Sequence, residues 1–316
     1  MIPAVSILIP THNRAEILDR TLASLQQLEI PTVLADRIEI IVVNNVCTDR
    51  TDEVVNGWIP RSNLPLRLVH EPQIGLNNAR NRAVRESRFT HPDAVMAFLD
   101  DDVLVDPRWL AALVEAFEST HASMIGGRVE LWWEAVQRPD WMIPELEDHL
   151  SRLDHGDQVR QLHEPRIVGA NFAFLRRVFD DSGPPGGFRP DLDRKGKSLL
   201  SGGETDFILK AFARGHTLYY APDASLRHWV PPHRADLGHL LKIIEGKAVA
   251  QILMRERYGL ADRLRSLAGG AAKLIVHAPG AVLGINPNAI RHKMRCAVGR
   301  GQIIGALRGM RTPSSP

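Results

Sequence analysis

The chain has 316 residues, 44% of them hydrophobic, which is enough to bury a sizeable core in one large domain or two small ones. An even spread of residue types excludes a disordered or collagen-like chain. The two distant cysteines, Cys47 and Cys296, exclude a disulfide scaffold and a cysteine-built zinc site, and favour a reducing compartment. Charge divides unevenly: of 39 basic and 37 acidic residues, 11 and 2 lie from Arg255 onward, which leaves 28 against 35 before it. An acidic body disfavours nucleic acid as a partner, whereas the basic tail calls for an anionic one, a membrane surface among the candidates. The opening MIPAVSILIP has no basic stretch and no cleavage site, so no signal peptide is expected. No run of about 20 uncharged apolar residues occurs, so no spanning helix is expected.

In chain order, residues 4–9 (AVSILI) predict a buried strand that runs into the polar Pro10-Thr11-His12-Asn13. Leu18, Leu22 and Leu25 have helical spacing. Ile38–Val43 is a second buried strand ending at Asn44 and Asn45, and Leu66–Val69 a third. Gly75–Arg88 reads as a helix, Ala94–Leu99 as a fourth strand ending at Asp100-Asp101-Asp102, and Trp109–Phe117 as the next helix. Alternating strands and helices predict a mostly parallel sheet with right-handed crossovers, in which ligands bind beyond the carboxyl ends of the strands. Each strand delivers polar groups at that end.

Beyond residue 120 the pattern changes. Gly126–Leu131 predicts a strand, residues 132–165 a long surface excursion, and Val168–Phe174 another strand. Ser182–Lys197 is a Gly/Pro-dense loop, Thr205–Arg214 a helix stopped by Gly215, and Thr217–Tyr220 a final strand. From about Asp236 the chain is expected to be helical, with breaks at Pro279 and Pro287.

Three adjacent carboxylates repel one another, and either solvent or a cation must relieve them. Oxygen ligands suit Mg²⁺ or Mn²⁺. A solvated turn capping the next helix is the plain alternative. There is no GxxxxGK[ST] and no GxGxxG after the first strand, so kinase and dinucleotide readings lose their usual support.

Seven segments in order, SILIPTHNR, EIIVVNNVCTDRT, GLNNARNRAV, FLDDDVLVDPRWL, VGANFAFLRR, GGETDFILKAFARG and YYAPDASLRH, resemble the inverting glycosyltransferases of family 2. The resemblance implies an α/β fold of the GT-A type, a Rossmann-like, mostly parallel sheet flanked by helices, with a helical C-terminal extension. It places a glycosyltransferase domain at 1–234 (nucleotide-binding to about 120, acceptor-binding from about 121) and a basic helical extension at 235–316. It implies transfer of one sugar from a nucleotide sugar, a UDP-sugar favoured, to a glycan or lipid-linked acceptor. The setting expected is cytoplasmic, peripheral on the inner membrane face through the basic tail.

By the same resemblance Pro10, Thr11, Asn13 and Arg14 contact the donor. Asn44 stands where an aspartate usually accepts from uracil, and an amide there loses the charge that would favour guanine. Arg80 matches a position touching base or phosphate, and Asp49 fits a cap. Aligned on Pro107, Asp102 is the metal ligand, with Asp100 and Asp101 facing the ribose and the outer metal shell. His228 matches a histidine completing the metal or diphosphate site. Asn171 and Phe172 line the donor-sugar pocket.

Inversion by single displacement requires a carboxylate that takes the acceptor hydroxyl's proton. The family's Gly-Glu-Asp segment maps onto Gly202-Gly203-Glu204-Thr205-Asp206, which favours Glu204 and leaves Asp206 open. Both equally suit a helix N-terminus. Trp132, Trp133 and Trp141 offer faces for sugar stacking or for core packing, and the Gly/Pro loop 183–197 is a candidate for closing over donor. A non-catalytic sugar-nucleotide-binding protein and a nucleotidyltransferase are the competing readings. The latter lacks its glycine-rich basic loop, since Pro10–Arg14 is not one.

Overall fold

The computed structural model describes residues 2–182, 187–193, 200, 202–254, 260–282 and 284–308. In chain order the elements are β1 (Val5–Thr11), α1 (Ala15–Leu25), β2 (Ile38–Asn44), α2 (Thr51–Trp58), β3 (Leu66–His70), α3 (Leu76–Glu86), β4 (Val95–Leu99), β5 (Val103–Val105), α4 (Trp109–Thr120), β6 (Met124–Trp132), α5 (Pro144–Glu147), β7 (Arg160–Leu162), β8 (Asn171–Leu175), α6 (Arg176–Asp180), α7 (Gly203–Ala213), β9 (Leu218–Trp229), α8 (Leu237–Leu253), α9 (Leu260–Ala281) and α10 (Pro287–Arg308). They fall into two compact units, one of residues 1–132, 151–190 and 203–229, the other of 133–150, 191–202 and 230–316.

The first unit holds a sheet in the order β3-β2-β1-β4-β8-β6-β9-β5, with β7 on β9. β1, β2 and β4 are largely apolar because they are buried on both faces, and the polar residues inside β1 and β2, Ser6 and Glu39, are buried against each other, the Ser6 hydroxyl donating to Glu39 at 2.8 Å. β3, β2, β1 and β4 run parallel, as the alternation predicts, but β8 is antiparallel to both β4 and β6. The sheet is therefore mixed beyond β4. Phe98, Phe172, Phe174, Phe188 and Phe207 interlock across its face, with Phe188 stacked on Phe207 at 4.6 Å and Phe174 4.9 Å from Phe207, which seats α7 on the sheet.

Five described elements, α2, β5, α5, β7 and α6, have no counterpart in the sequence pattern, and one strand runs longer than expected. β5 is a three-residue strand directly after the aspartates. β9, expected to end at Tyr220, continues to Trp229 because its second half pairs with β5 and β6. Pro222 and Asp223 read in sequence as the end of a strand. They are absorbed instead by a register shift, in which Gly127 of β6 faces Ala221 while Val129 faces Leu226.

The second unit is helical around α8 and α10. α10 packs on both α8 and α9. Glycines make this close: a Cβ at Gly301 would lie 2.4 Å from the Glu245 carbonyl oxygen, and one at Gly299 2.8 Å from that of Gly270. The break expected at Pro279 is not there. α9 runs through it to Ala281: the ring removes the N–H that would bond the Ile275 carbonyl, and the helix ends two residues later. The chain turns instead at Gly284, φ +98°, and Pro287 opens α10, where a missing N–H is harmless. No described helix is long and apolar enough to cross a membrane.

Candidate active site

The site lies at the carboxyl ends of β1, β2 and β4. β1 ends in Pro10 and Thr11, then turns through Asn13 at φ 54°. Asn13 Oδ1 accepts from the Thr48 amide at 2.6 Å, tying this loop to the one after β2. Val46, in that second loop, sits at φ 60°, a conformation that costs a β-branched residue on the order of 1–3 kcal/mol. Asp49 accepts from the amides of Ala15 (2.9 Å) and Thr51 (3.1 Å), which fixes the starts of α1 and α2 together.

The three aspartates after β4 part company. Asp101 accepts from the Thr11 hydroxyl at 2.7 Å and from Arg14 at 3.1 Å. Asp102 is buried, forms an ion pair with Arg14, and stands 3.1 Å from His228 Nε2. Asp100 is partly exposed and lies 3.7 Å from the same nitrogen. The Thr21 hydroxyl reaches the Asp101 carbonyl (2.8 Å) and the Val103 amide (3.1 Å), pinning this turn to α1. His228 arrives by sheet register: Val103 of β5 pairs with His228 of β9, and the Trp229 amide donates to the Asp102 carbonyl at 2.9 Å.

Asp100, Asp102 and His228 thus offer two carboxylate oxygens and an imidazole nitrogen within 4.8 Å of one another. That donor set suits Mn²⁺ and accommodates Mg²⁺ through its oxygens. Burial raises the Asp101 carboxyl above its ordinary range, the neighbouring aspartates adding to this and Arg14 opposing it. Burial also pushes Asp100 upward, but the His228 contact and the Arg80 charge outweigh it and hold the group below the usual carboxylate range. Arg14 is held charged against burial by the three aspartates around it.

Arg80, buried on α3, does not lie open to solvent but pairs with Glu204 on the first turn of α7 at 2.8 Å. Gly169 makes room for the pair, since a Cβ there would fall 2.2 Å from Arg80 Nη2 and 2.4 Å from Glu204 Oε1. Burial raises the Glu204 carboxyl, and the Arg80 charge overcomes it, leaving the group below its ordinary value. Asp206 is more enclosed and binds Lys210 at 2.9 Å and Arg189 at 3.4 Å. The two acids therefore differ: Glu204 shares one cation and keeps 21% side-chain exposure, while Asp206 is 5% exposed between two.

Asn44 is buried and engaged at both ends, its oxygen accepting from the Cys47 amide (2.7 Å) and its nitrogen donating to Asp52 (2.6 Å). Asp52, which the sequence reading does not single out, stands beside it with its second oxygen 2.9 Å from His70 Nε2. Its signal is the second aspartate of CTDRTD, at the opening turn of α2. Asn171 is inside the sheet: its oxygen accepts from Trp109 Nε1, and its nitrogen donates to the Arg128 and Ala224 carbonyls. Phe172 is in the aromatic cluster. Trp132 ends β6 with Arg20 stacked 4.2 Å over its ring. Trp133 and Trp141 belong to the other unit. Of the loop 183–197, residues 183–186 and 194–197 lie outside the described residues.

The family model described as Glycosyl transferase family 2 matches residues 6–183. The chain is 30% identical over 307 residues to the succinoglycan biosynthesis protein ExoM of Rhizobium meliloti, covering 96% of this chain and 93% of that protein. It is 27% identical over 262 residues to glycosyltransferase AglE of Haloferax volcanii, covering 82% and 77%. Among solved structures, the mannosyltransferase PcManGT from Pyrobaculum calidifontis, in complex with GDP-Man and Mn²⁺, matches the fold with a TM-score of 0.61 at 21% identity, over 96% of this chain and 87% of that one. The chain belongs to glycosyl transferase family 2: it is a glycosyltransferase with the GT-A fold.

Proposed function

We propose that the protein transfers a single sugar from a nucleotide sugar, a UDP-sugar favoured, to a hydroxyl of a glycan or lipid-linked acceptor with inversion at the anomeric carbon. The observation that carries this reading is the meeting of Asp100, Asp102 and His228 beside Arg14 at the carboxyl ends of β1 and β4. Asp100, Asp102 and His228 would hold a divalent ion, Mn²⁺ or Mg²⁺, which would supply Lewis-acid stabilisation of the departing diphosphate. Arg14 adds positive charge at the same place. Thr11 and Asp101 hold each other at the mouth of β1, positioned for the ribose. The nucleobase lies toward Asn44 and Asp52, where Asp52 supplies the anionic acceptor that Asn44 lacks. A uracil ring presents one N–H to such an acceptor.

Glu204 takes the proton of the acceptor hydroxyl. The oxygen so released bonds to the anomeric carbon from the side opposite the diphosphate, and the electron pair of the breaking C–O bond leaves on the diphosphate. Arg80 keeps Glu204 ionised and oriented before the encounter, which positions the base while lowering its proton affinity. Asp206 lies too deep between Lys210 and Arg189 to serve as readily. A thermal-shift screen of nucleoside diphosphates and their sugars with Mn²⁺ or Mg²⁺ tests the reading, since a ligand that binds only the native state raises its melting temperature. The largest rise is expected for a UDP-sugar with Mn²⁺. No rise with any nucleotide and metal overturns the reading.

A further inference from the structure

We infer that the outward face of α9 rests on an anionic lipid bilayer, lying in the plane of the interface rather than crossing it. α9 packs on α10 with one side only. Leu260, Leu264, Ala268, Ala271, Ile275 and Pro279 fall within about a third of the helix circumference at 100° per residue, and Val282 follows one residue past the helix end. All seven are exposed, Ile275 to 76% and Val282 to 81%, and the adjoining Val276 to 65%. No charged residue falls inside that arc. At 1.5 Å per residue the stripe runs about 30 Å, far more than scattered surface apolar residues require.

The occupant is set by charge. Between Leu260 and Arg308 there are eight Lys and Arg and a single acid, Asp262; Arg291 and Arg300 pair with Glu145 and Glu245 outside the segment, which leaves a net of +5. Arg263 and Arg265 lie at one end of the stripe, and Arg291, Lys293 and Arg295 follow its other end, where Ile285 is also 57% exposed. A second copy of the chain docked on this face would bring two such segments together at the cost of repulsion, whereas a leaflet of anionic headgroups neutralises them. An apolar stripe flanked by basic residues, too polar overall to span, is the pattern of a helix buried part-way into the headgroup region. Each basic residue near the surface adds on the order of fivefold to partitioning, and salt screens it.

The test uses the full chain with sedimented vesicles of phosphatidylcholine alone or with about 30% phosphatidylglycerol, the anionic fraction that sets the surface potential. Binding is expected only with phosphatidylglycerol, and to weaken in high salt. The outward double variant I275E/V276E is expected to lose roughly tenfold or more of that binding. The milder I275S/V276S is expected to lose less. Both should keep the wild-type melting temperature and donor hydrolysis in solution, so failure here is distinguishable from failure of the transfer chemistry. Equal sedimentation with both lipids, unchanged binding by folded I275E/V276E, or a dimer in light scattering that the double variant abolishes would each overturn the inference.

Discussion

Replacing Glu204 by glutamine separates the base from the helix-terminus reading. The change is nearly isosteric, and the amide oxygen still accepts from Arg80, so the 2.8 Å contact survives as an uncharged partner. The structural loss is the charge in that bond. Arg80 is buried but Glu204 is 21% exposed, so this amounts to about 1–2 kcal/mol and a melting temperature lower by a few degrees. The chemical loss is larger: general bases contribute about 10²–10⁴ in rate, or roughly 3–5.5 kcal/mol on the barrier. The protein should therefore stay folded at assay temperature while kcat falls at least about a hundredfold. The assay is release of nucleoside diphosphate from the donor that gives the largest thermal shift, with the donor dissociation constant followed by calorimetry and unchanged. Asp206→Asn is the counterpart. It removes a buried charge from between Lys210 and Arg189, each about a quarter exposed, and should cost about 1–3 kcal/mol of stability with little effect on kcat in the folded fraction. If E204Q retains kcat within about tenfold of wild type, or if D206N is the variant that loses it, the assignment fails.

Gly169→Ala inserts a methyl into the Arg80–Glu204 pair and should lower kcat by roughly tenfold or more through misplacement of the base; unchanged kinetics in a folded variant would detach the pair from catalysis. Asp52→Asn should weaken UDP binding about fivefold by calorimetry, the difference between a charge-assisted and a neutral hydrogen bond, and an equal constant removes Asp52 from the base site. Manganese titration followed by electron paramagnetic resonance should show Asp102→Asn losing at least about tenfold in affinity and Asp101→Asn much less; the reverse order would move the metal. Because the folded Glu204 carboxyl lies below its ordinary 4.5, its contribution to stability is complete above that value and is lost as pH falls through the lower folded value. The melting-temperature gap between wild type and E204Q should accordingly close in acid, and a gap independent of pH would show that the charge is not what Arg80 stabilises.

The local half of this molecule is legible in its sequence. β1, β2 and β4 declare themselves because doubly buried strands are mostly apolar, interrupted before their polar ends only by Ser6 and Glu39, and α1, α3 and α4 because one helical face is buried. What escapes is pairing between distant segments. β5 has three residues, too few for any periodicity, and the second half of β9 contains Asp223, Ser225, Arg227 and His228, which reads as surface loop. They become strands only against each other. For the same reason His228 enters the sequence reading by resemblance alone, Asp52 does not enter it, and the pairing of Arg80 with Glu204, 124 positions apart, has no local sign. Pro279 shows the opposite error: a strong local breaker whose effect depends on how many turns follow it, here almost none.

Three consecutive carboxylates look in sequence like one acidic cluster, and the backbone makes them into three different groups. Asp100 and Asp102 both approach His228, whereas Asp101 turns to Thr11 and Arg14. Repulsion within the trio is relieved by separation and by two cations of the chain, Arg14 on one side and Arg80 on the other, each of which also answers to a second acid. Arg80 is shared in this way between the electrostatics of Asp100 and the direct pair with Glu204. A change at any one of these positions therefore redistributes charge across the others. Substitutions at Arg80 and Glu204 should couple with those at Asp100 rather than add, as expected of groups that share a partner. The acid proposed as the base and the acids suited to hold a metal are in this sense one electrostatic unit, assembled from β4, α3 and α7 around a buried arginine.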